Sequence, residues 1–233
     1  MALAMKANIP VPLAIALGLL LGTILGSING LLVGKLKVNP FIVTLSSTSI
    51  FRGITLIITS AIPVFSFPNS FTWIGGARPL GLPMPVILTF VIVVLGFFII
   101  NYTKFGYYAV ALGGNEEAMQ RIGVSVNLYK GLVYALSGFL AAVVGLIITA
   151  RLNSADPMAG YMYELDAIAT VILGGTNIRG GYGSIGGTVL AGLFLAVLHN
   201  GLTINGIDSY YQLLLVGVII LASVYISEIR VQK

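Results

Sequence analysis

Apolar residues run almost unbroken through most of this chain, and the polar interruptions fall at intervals that mark out helices of membrane length. Runs at about 11–33, 41–62, 85–102, 131–150, 184–204 and 211–227 are each long enough to cross roughly 30 Å of hydrocarbon as an α-helix. A seventh, ELDAIATVILGG at 164–175, is too short for an ordinary span and ends in glycines. It predicts a short or broken crossing, tolerable only where protein or a water-filled cavity surrounds its backbone. The pattern predicts an all-α polytopic membrane protein of about seven crossings, one of them short or broken, forming a single transmembrane domain over residues 1–233.

Composition removes several classes of chemistry. Hydrophobic residues make up 58% and charged residues 8% of the chain, with a mean hydropathy of +1.03, whereas about a quarter of residues are charged in soluble globular proteins. Without cysteine there is neither a disulfide framework nor a thiolate metal site. One histidine, His199, is too few for a His-rich metal centre, so no metal is expected. The net charge of +5 would suggest nucleic acid in a soluble chain, but here basic residues are first of all topology determinants, and no nucleic-acid partner is expected.

With seven crossings, Lys35, Lys37, Lys104, Arg121, Lys130, Arg179, Arg230 and Lys233 fall on one side and only Lys6, Arg78 and Arg151 on the other. That excess of eight against three assigns the first side to the cytoplasm, with the C-terminus inside and the first residue outside. Six crossings would move the C-terminal basic residues outside, which favours counting the short one. The opening MALAMKANIPVPLAIALGLLLG has a lysine before an apolar run, as a secretory signal does, but no small-residue cleavage site follows and the run continues to Val33. It is expected to span.

In the first run Gly18, Gly22, Gly26, Gly30 and Gly34 recur at every fourth position and form a small-residue stripe. Such a stripe lets another backbone approach closely, so this helix is expected inside the bundle or at a subunit contact. In the second run Thr44, Thr48, Arg52, Thr55 and Thr59 share one helical face. A guanidinium at mid-span costs at least about 2.5 kcal/mol on insertion scales, so this face is expected to meet protein or a polar cavity and not lipid. Arg52 either ties two helices together through backbone carbonyls or lines a pathway. Asn29, Ser47, His199 and Asn200, each alone at membrane depth, predict interhelical hydrogen bonds and not ligand contacts. Glu164 and Asp166 are expected at an outer boundary, where carboxylates are solvated.

Several motifs read as chemistry only as text. Gly181, Gly183 and Gly186 spell GxGxxG, with Asp208 22 residues further on. A dinucleotide fold needs a strand before and alternating α/β structure after, whereas SIGGTVLAGLFLAVLHNGLTI is a membrane-length helix. These glycines predict a tight cytoplasmic turn, with Gly186 and Gly187 opening the next helix for close packing. No GxxxxGK[ST] loop, G-x-S-x-G elbow or H-E-x-x-H pair occurs, and no carboxylate pair lies within a span. The chain is not expected to be an enzyme.

GGNEEAMQRIGVSVNLYKG, 113–131, concentrates Glu116, Glu117, Arg121 and Lys130 between two apolar runs. Asn115 can cap a short helix whose first turn holds Glu116 and Glu117, and Gly123 can stop it. Glu117 and Arg121 are four apart in the better orientation for an ion pair, and Ala118, Met119 and Ile122 share an apolar face. So short a helix is marginal alone and rests on something. It is either a solvated connector folded on its own membrane domain or an element that docks in the groove of a cytoplasmic partner.

FGYYAVALGGNEEAMQRIGVSVNLYK, ARLNSADPMAGYMYELDAIATVILGGTNIRGGYGSIGGTVLAG and NGLTINGIDSYYQLLLVGVIIL together resemble permease subunits of bacterial ATP-binding-cassette importers for monosaccharides. The resemblance runs from about Val11 to Tyr225 and includes KVNPFIVTLSSTSIFRG and WIGGARPLGLPMPV. It implies a single permease domain in the inner membrane, with a coupling helix at about 114–123 inside a cytoplasmic loop at 103–130, and Glu116, Glu117, Ala118 and Gly123 on the family's pattern there. It implies a second permease copy, a separate ATPase subunit that binds the ATP, an extracytoplasmic sugar-binding protein, and no cofactor in this chain. Ribose is the expected sugar. Arg121 joins the coupling residues, and Thr44, Thr48, Arg52 and Asp166 are expected on or near the path. Members of this family usually begin with roughly three further crossings, including a TxGIDLSVG-like stretch. This chain holds no match to it, and a first residue outside fits a protein cut after an odd number of crossings. Two other readings stand beside this one: a branched-chain amino acid permease, and a secondary carrier or channel working without ATP.

Overall fold

The computed structural model of the chain describes residues 1–177, 180–208, 210–212, 214, 215, 217–219 and 221. Its helices in order are α1 (Ala2–Lys6), α2 (Val11–Gly34), α3 (Pro40–Thr59), α4 (Asn69–Gly76), α5 (Met84–Tyr102), α6 (Lys104–Gly114), α7 (Glu116–Arg121), α8 (Val126–Leu152), α9 (Tyr163–Leu173) and α10 (Ile185–Ile204), with two short strands, β1 (Val64–Phe65) and β2 (Ser154–Ala155). Five of these helices, α2, α3, α5, α8 and α10, are long and apolar enough to cross a membrane. Of the seven expected crossings, the short one is α9, with 11 residues. The seventh, expected at 211–227, falls partly outside the described residues.

Local chemistry sets the ends of these helices. Pro12 and Pro40 sit in the first turns of α2 and α3, where a missing N–H costs nothing. Asn39 caps α3 by accepting from the Phe41 N–H at 2.9 Å, and α3 stops where Ser60 turns left-handed at φ 53°. Where the apolar pattern suggested a span from about residue 131, α8 starts at Val126 and runs for 27 residues.

Contacts group the chain into two compact units, one of Met1–Ile92 with Gly123–Ala159, the other of Val93–Ile122 with the chain from Gly160 onward. The first unit is organised by the glycine stripe of α2. A methyl group placed on Gly22 would lie 2.7 Å from the Gly138 carbonyl oxygen, and one on Gly30 would lie 2.8 Å from the Gly131 Cα. One on Gly26 would collide with the Tyr134 carbonyl oxygen, and one on Gly34 would lie 3.2 Å from that of Asn127. Partners fall in number as α2 rises, so α2 and α8 are antiparallel and meet backbone to backbone along their length. Gly18 is different, for it faces the side chain of Met1.

At the other end of α8 a small layer closes over the pair. β1 and β2 pair antiparallel, Val64 with Ala155 and Phe65 with Ser154, and the Asn153 Oδ1 accepts from the Phe67 N–H at 3.0 Å. Phe71 of α4 is fully buried, edge-on to Phe67 with ring centroids 5.4 Å apart, and Gly75 is pressed on the backbone of Ala150 and Arg151. Lys6 and Arg151 thus lie at one end of this unit, and Lys35, Lys37 and Lys130 at the other. Within this unit the grouping is the one the topology count drew, and the positive-inside rule makes the lysine-rich end the one expected in the cytoplasm.

A matched pair of substitutions tests this packing. Gly26→Ala should lower thermal stability in detergent by about 1–3 kcal/mol. Gly145→Ala, on α8 with no atom within 4 Å of the added methyl, should leave it unchanged or raise it by up to about 1 kcal/mol.

Candidate functional site

Residues 103–130, expected as a loop around one helix, hold two helices and the first turn of a third. The Thr103 hydroxyl accepts from the Gly106 N–H at 3.3 Å to start α6. Asn115 then serves two helices. Its N–H donates to the Ala111 carbonyl at 3.1 Å, ending α6, and its Oδ1 accepts from the Ala118 N–H at 2.9 Å, starting α7. Glu116 and Glu117 lie in the first turn of α7 and Arg121 in its last, each favourably placed in the backbone dipole. The chain leaves through Gly123 at φ 84°, a conformation that favours glycine.

The apolar face of α7 is divided. Met119 is 6% exposed and seats the helix, whereas Ile122 is 70% exposed and Ala118 is open as well. Glu117 and Arg121 pair at 3.7 Å with more than four-fifths of each side chain in solvent. Such a pair adds only a few tenths of a kcal/mol to the helix. These side chains present a mixed charged and apolar patch, and nothing in the described chain covers it.

The glycine turn lies against the root of this helix. Gly180 and Gly181 have φ of 86° and 79°, and the turn is closed by hydrogen bonds from the Asn177 N–H to the Tyr182 carbonyl at 3.1 Å and from the Gly180 N–H to the Asn177 carbonyl at 3.0 Å. Gly180 packs on Gly113 and Gly181 on Gly114. Ser184 caps α10, accepting from the Gly187 N–H at 3.1 Å. Of the two glycines expected to open α10 for close packing, Gly187 meets the Gly174 backbone, but Gly186 faces open space. No sequence motif announces the contact of 113–114 with 180–181; two Gly-Gly pairs, each beside a helix end, are its only trace.

The path residues are more dispersed. On α3 the hydroxyls of Thr44, Thr48, Thr55 and Thr59 all donate to carbonyls of their own helix, at 2.8 to 3.0 Å. Satisfied in this way they tolerate lipid, so the expectation that the face avoids lipid rests on Arg52 alone, which is half-buried. Ser47 donates to Asn29 at 2.5 Å between α2 and α3, and the His199 Nδ1 lies 3.2 Å from the Gln212 Oε1, which follows α10 in the chain.

α9 lies antiparallel to α10, with Gly174 on Thr188, Thr170 on Gly192, and Ala169 with Leu195 in one cluster. Continued along the pair, this register sets Asp166 opposite the last two turns of α10, toward the end expected outside. A groove of about 390 Å³ follows α9 along Ala167, Ile168, Val171 and Ile172 to Thr176 and Asn177. Its lining is mainly apolar and unsuited to a sugar.

Five membrane-length apolar helices, with hydroxyls returned to their own backbones, define a multi-pass membrane protein, and the relatives that follow place it in the bacterial inner membrane. The chain belongs to the family described as branched-chain amino acid transport system / permease component, whose model matches residues 1–224. It is 43% identical over 201 residues to the ribose import permease protein of Escherichia coli (strain K12), covering 84% of this chain and 63% of that protein. It is 42% identical over 221 residues to the ribose import permease protein of Haemophilus influenzae, covering 93% and 68%. With the D-allose transport system permease protein of Escherichia coli (strain K12) the identity is 38% over 198 residues, covering 85% and 61%. The chain therefore spans under two thirds of the first of these relatives. No solved structure matches it.

Because the chain has no cysteine, single cysteines report sidedness cleanly. Ile122→Cys should react with a membrane-impermeant maleimide only from the cytoplasmic side, and Asn69→Cys, exposed at the start of α4, only from the outside.

Proposed function

We propose that this chain is the translocating subunit of an ATP-driven importer of monosaccharides, with ribose the favoured sugar. It works beside a second permease copy, an ATPase subunit that binds the ATP, and an extracytoplasmic sugar-binding protein, all held at a lipid bilayer. The chain itself is not an enzyme and holds no cofactor. The observation that carries this reading is the outward face of α7, where Glu117, Arg121 and Ile122 stand exposed on a helix anchored by Met119 and capped by Asn115. An exposed isoleucine among charges suits a protein groove better than water. The names of the relatives, at 37% to 44% identity, support a sugar.

In this reading ATP binding closes the partner's cassettes, the coupling helix formed by α7 follows, and sugar released by the binding protein passes inward by alternating access. The threonines of α3 suit that traffic. Their protons are committed to their own backbone, so each oxygen offers a sugar hydroxyl an acceptor and nothing stronger. Contacts of that kind let a solute leave as readily as it enters. The family description names branched-chain amino acids, and that is the second reading; a zwitterion calls for fixed charge on the path, for which Arg52 and Asp166 are the candidates.

Reversing one charge decides between coupled and uncoupled transport. In vesicles holding the chain with its ATPase and binding protein, Arg121→Glu should cut uptake of labelled ribose roughly tenfold or more and weaken co-purification of the ATPase. The fold should be unaffected, since Arg121 is exposed. Uptake that persists with no ATPase bound would favour a carrier or channel working without ATP.

A further inference from the structure

The second unit contains an unbroken line of stiff contacts from α7 to α9. α7 joins α6 through one residue, Asn115, whose backbone and side chain are both hydrogen-bonded, so α7 cannot shift without the last turn of α6. That turn ends in Gly113 and Gly114, which meet the Gly180–Gly181 turn with no side chain between them. A methyl group on Gly180 would lie 2.6 Å from the Gly113 carbonyl carbon, and one on Gly113 would lie 3.2 Å from the Gly180 Cα. A methyl on Gly114 would stand 3.2 Å from the Gly181 Cα.

The turn is in its own right tied to two helices. The Ser184 N–H donates to the Thr176 hydroxyl at 3.4 Å, Ser184 caps α10, and Gly174 at the end of α9 lies on the backbone of Gly187 and Thr188. Side-chain contacts yield by changing rotamer, whereas two backbones in contact have nothing to rotate. We propose that the contact of Gly113 and Gly114 with Gly180 and Gly181 is the joint that carries movement of α7 to α9 and α10, and so to the level of Asp166. The proposal rests on the reading of α7 as the coupling helix and adds where the motion goes. Gly113 and Gly180 are positioning residues: they touch neither ATP nor solute and act through the helices they join.

The test is carried out on the full chain in vesicles with its ATPase and binding protein. Gly113→Val should leave the ATPase bound and its hydrolysis within about twofold of normal, while sugar carried per ATP hydrolysed falls roughly tenfold or more. A joint with a purely structural role would lower hydrolysis and uptake together, and that result overturns the proposal, as does unchanged uptake. A second measurement stands if the valine variant fails to insert. Gly113→Ala, whose methyl would lie 3.2 Å from the Gly180 Cα, should lower sugar carried per ATP hydrolysed about two- to threefold with hydrolysis unchanged. Hydrolysis that falls in step with uptake, or no change in either, overturns the proposal. If the unmodified chain does not hold the ATPase, the coupling reading fails and the joint with it, a result told apart because it needs no substitution in the joint.

Discussion

Lipid tails are as apolar as leucine, so helices in a bilayer gain nothing by hiding one apolar face from another; they gain only by coming close. The structure depends on that constraint. Gly22, Gly26, Gly30 and Gly34 let α2 lie on α8 at Gly131 and Gly138, Gly174 meets Gly187 between α9 and α10, and Gly113 meets Gly180. Among the described residues, by contrast, Phe71 is the one large side chain that is fully buried, while Leu20, Phe90, Phe98 and Leu190 stand exposed. In water such exposure would mark aggregation. Here it is the surface that lipid wets, and cohesion resides where backbones touch.

A second constraint follows from the same solvent. A donor left unsatisfied in hydrocarbon costs several kcal/mol, and the chain answers locally wherever it can. Threonines on α3 return their protons to their own helix, and Asn29 with Ser47 closes the one polar pair between α2 and α3 that the described residues record. Asn115, Ser184 and Thr103 each accept from a backbone N–H at a helix start. Three capped starts in the second unit, beside one glycine turn, leave little slack in the segments between. Rigidity there is a by-product of satisfying donors, and the proposed joint would depend on it.

These constraints also explain what the sequence disclosed. Spans declare themselves by length and hydropathy, the stripe of α2 by its four-residue period, and the cap at Asn115 by residue type, because each is local. The start of α8 at Val126 was hidden, since SVNLYKG is polar enough to read as loop while α8 carries on through it. The closure of Val64–Phe65 on Ser154–Ala155 joins segments some 90 residues apart with no pattern in either, and nothing local distinguishes it from irregular chain. Gly18 shows the limit from the other direction: it shares the period of Gly22 to Gly34 yet meets Met1, because periodicity defines a face of the helix but not what lies opposite. The position of Asp166 along α10 is hidden for a related reason: it depends on the register of α9 against α10, which hydropathy does not contain.

Close backbone packing and weak solute contacts suit one another. A path lined by groups that bind strongly would itself resist movement, since each tight contact must be broken in every cycle. A face whose hydroxyls have already spent their protons leaves only acceptors, and a solute rich in hydroxyls can move along acceptors without being held. If α3 lines the path, as proposed, its threonines would discriminate little among such solutes. If the chain moves as proposed, glycine contacts serve that movement for the reason they hold helices together: they leave no side chain between two helices to absorb the displacement of either.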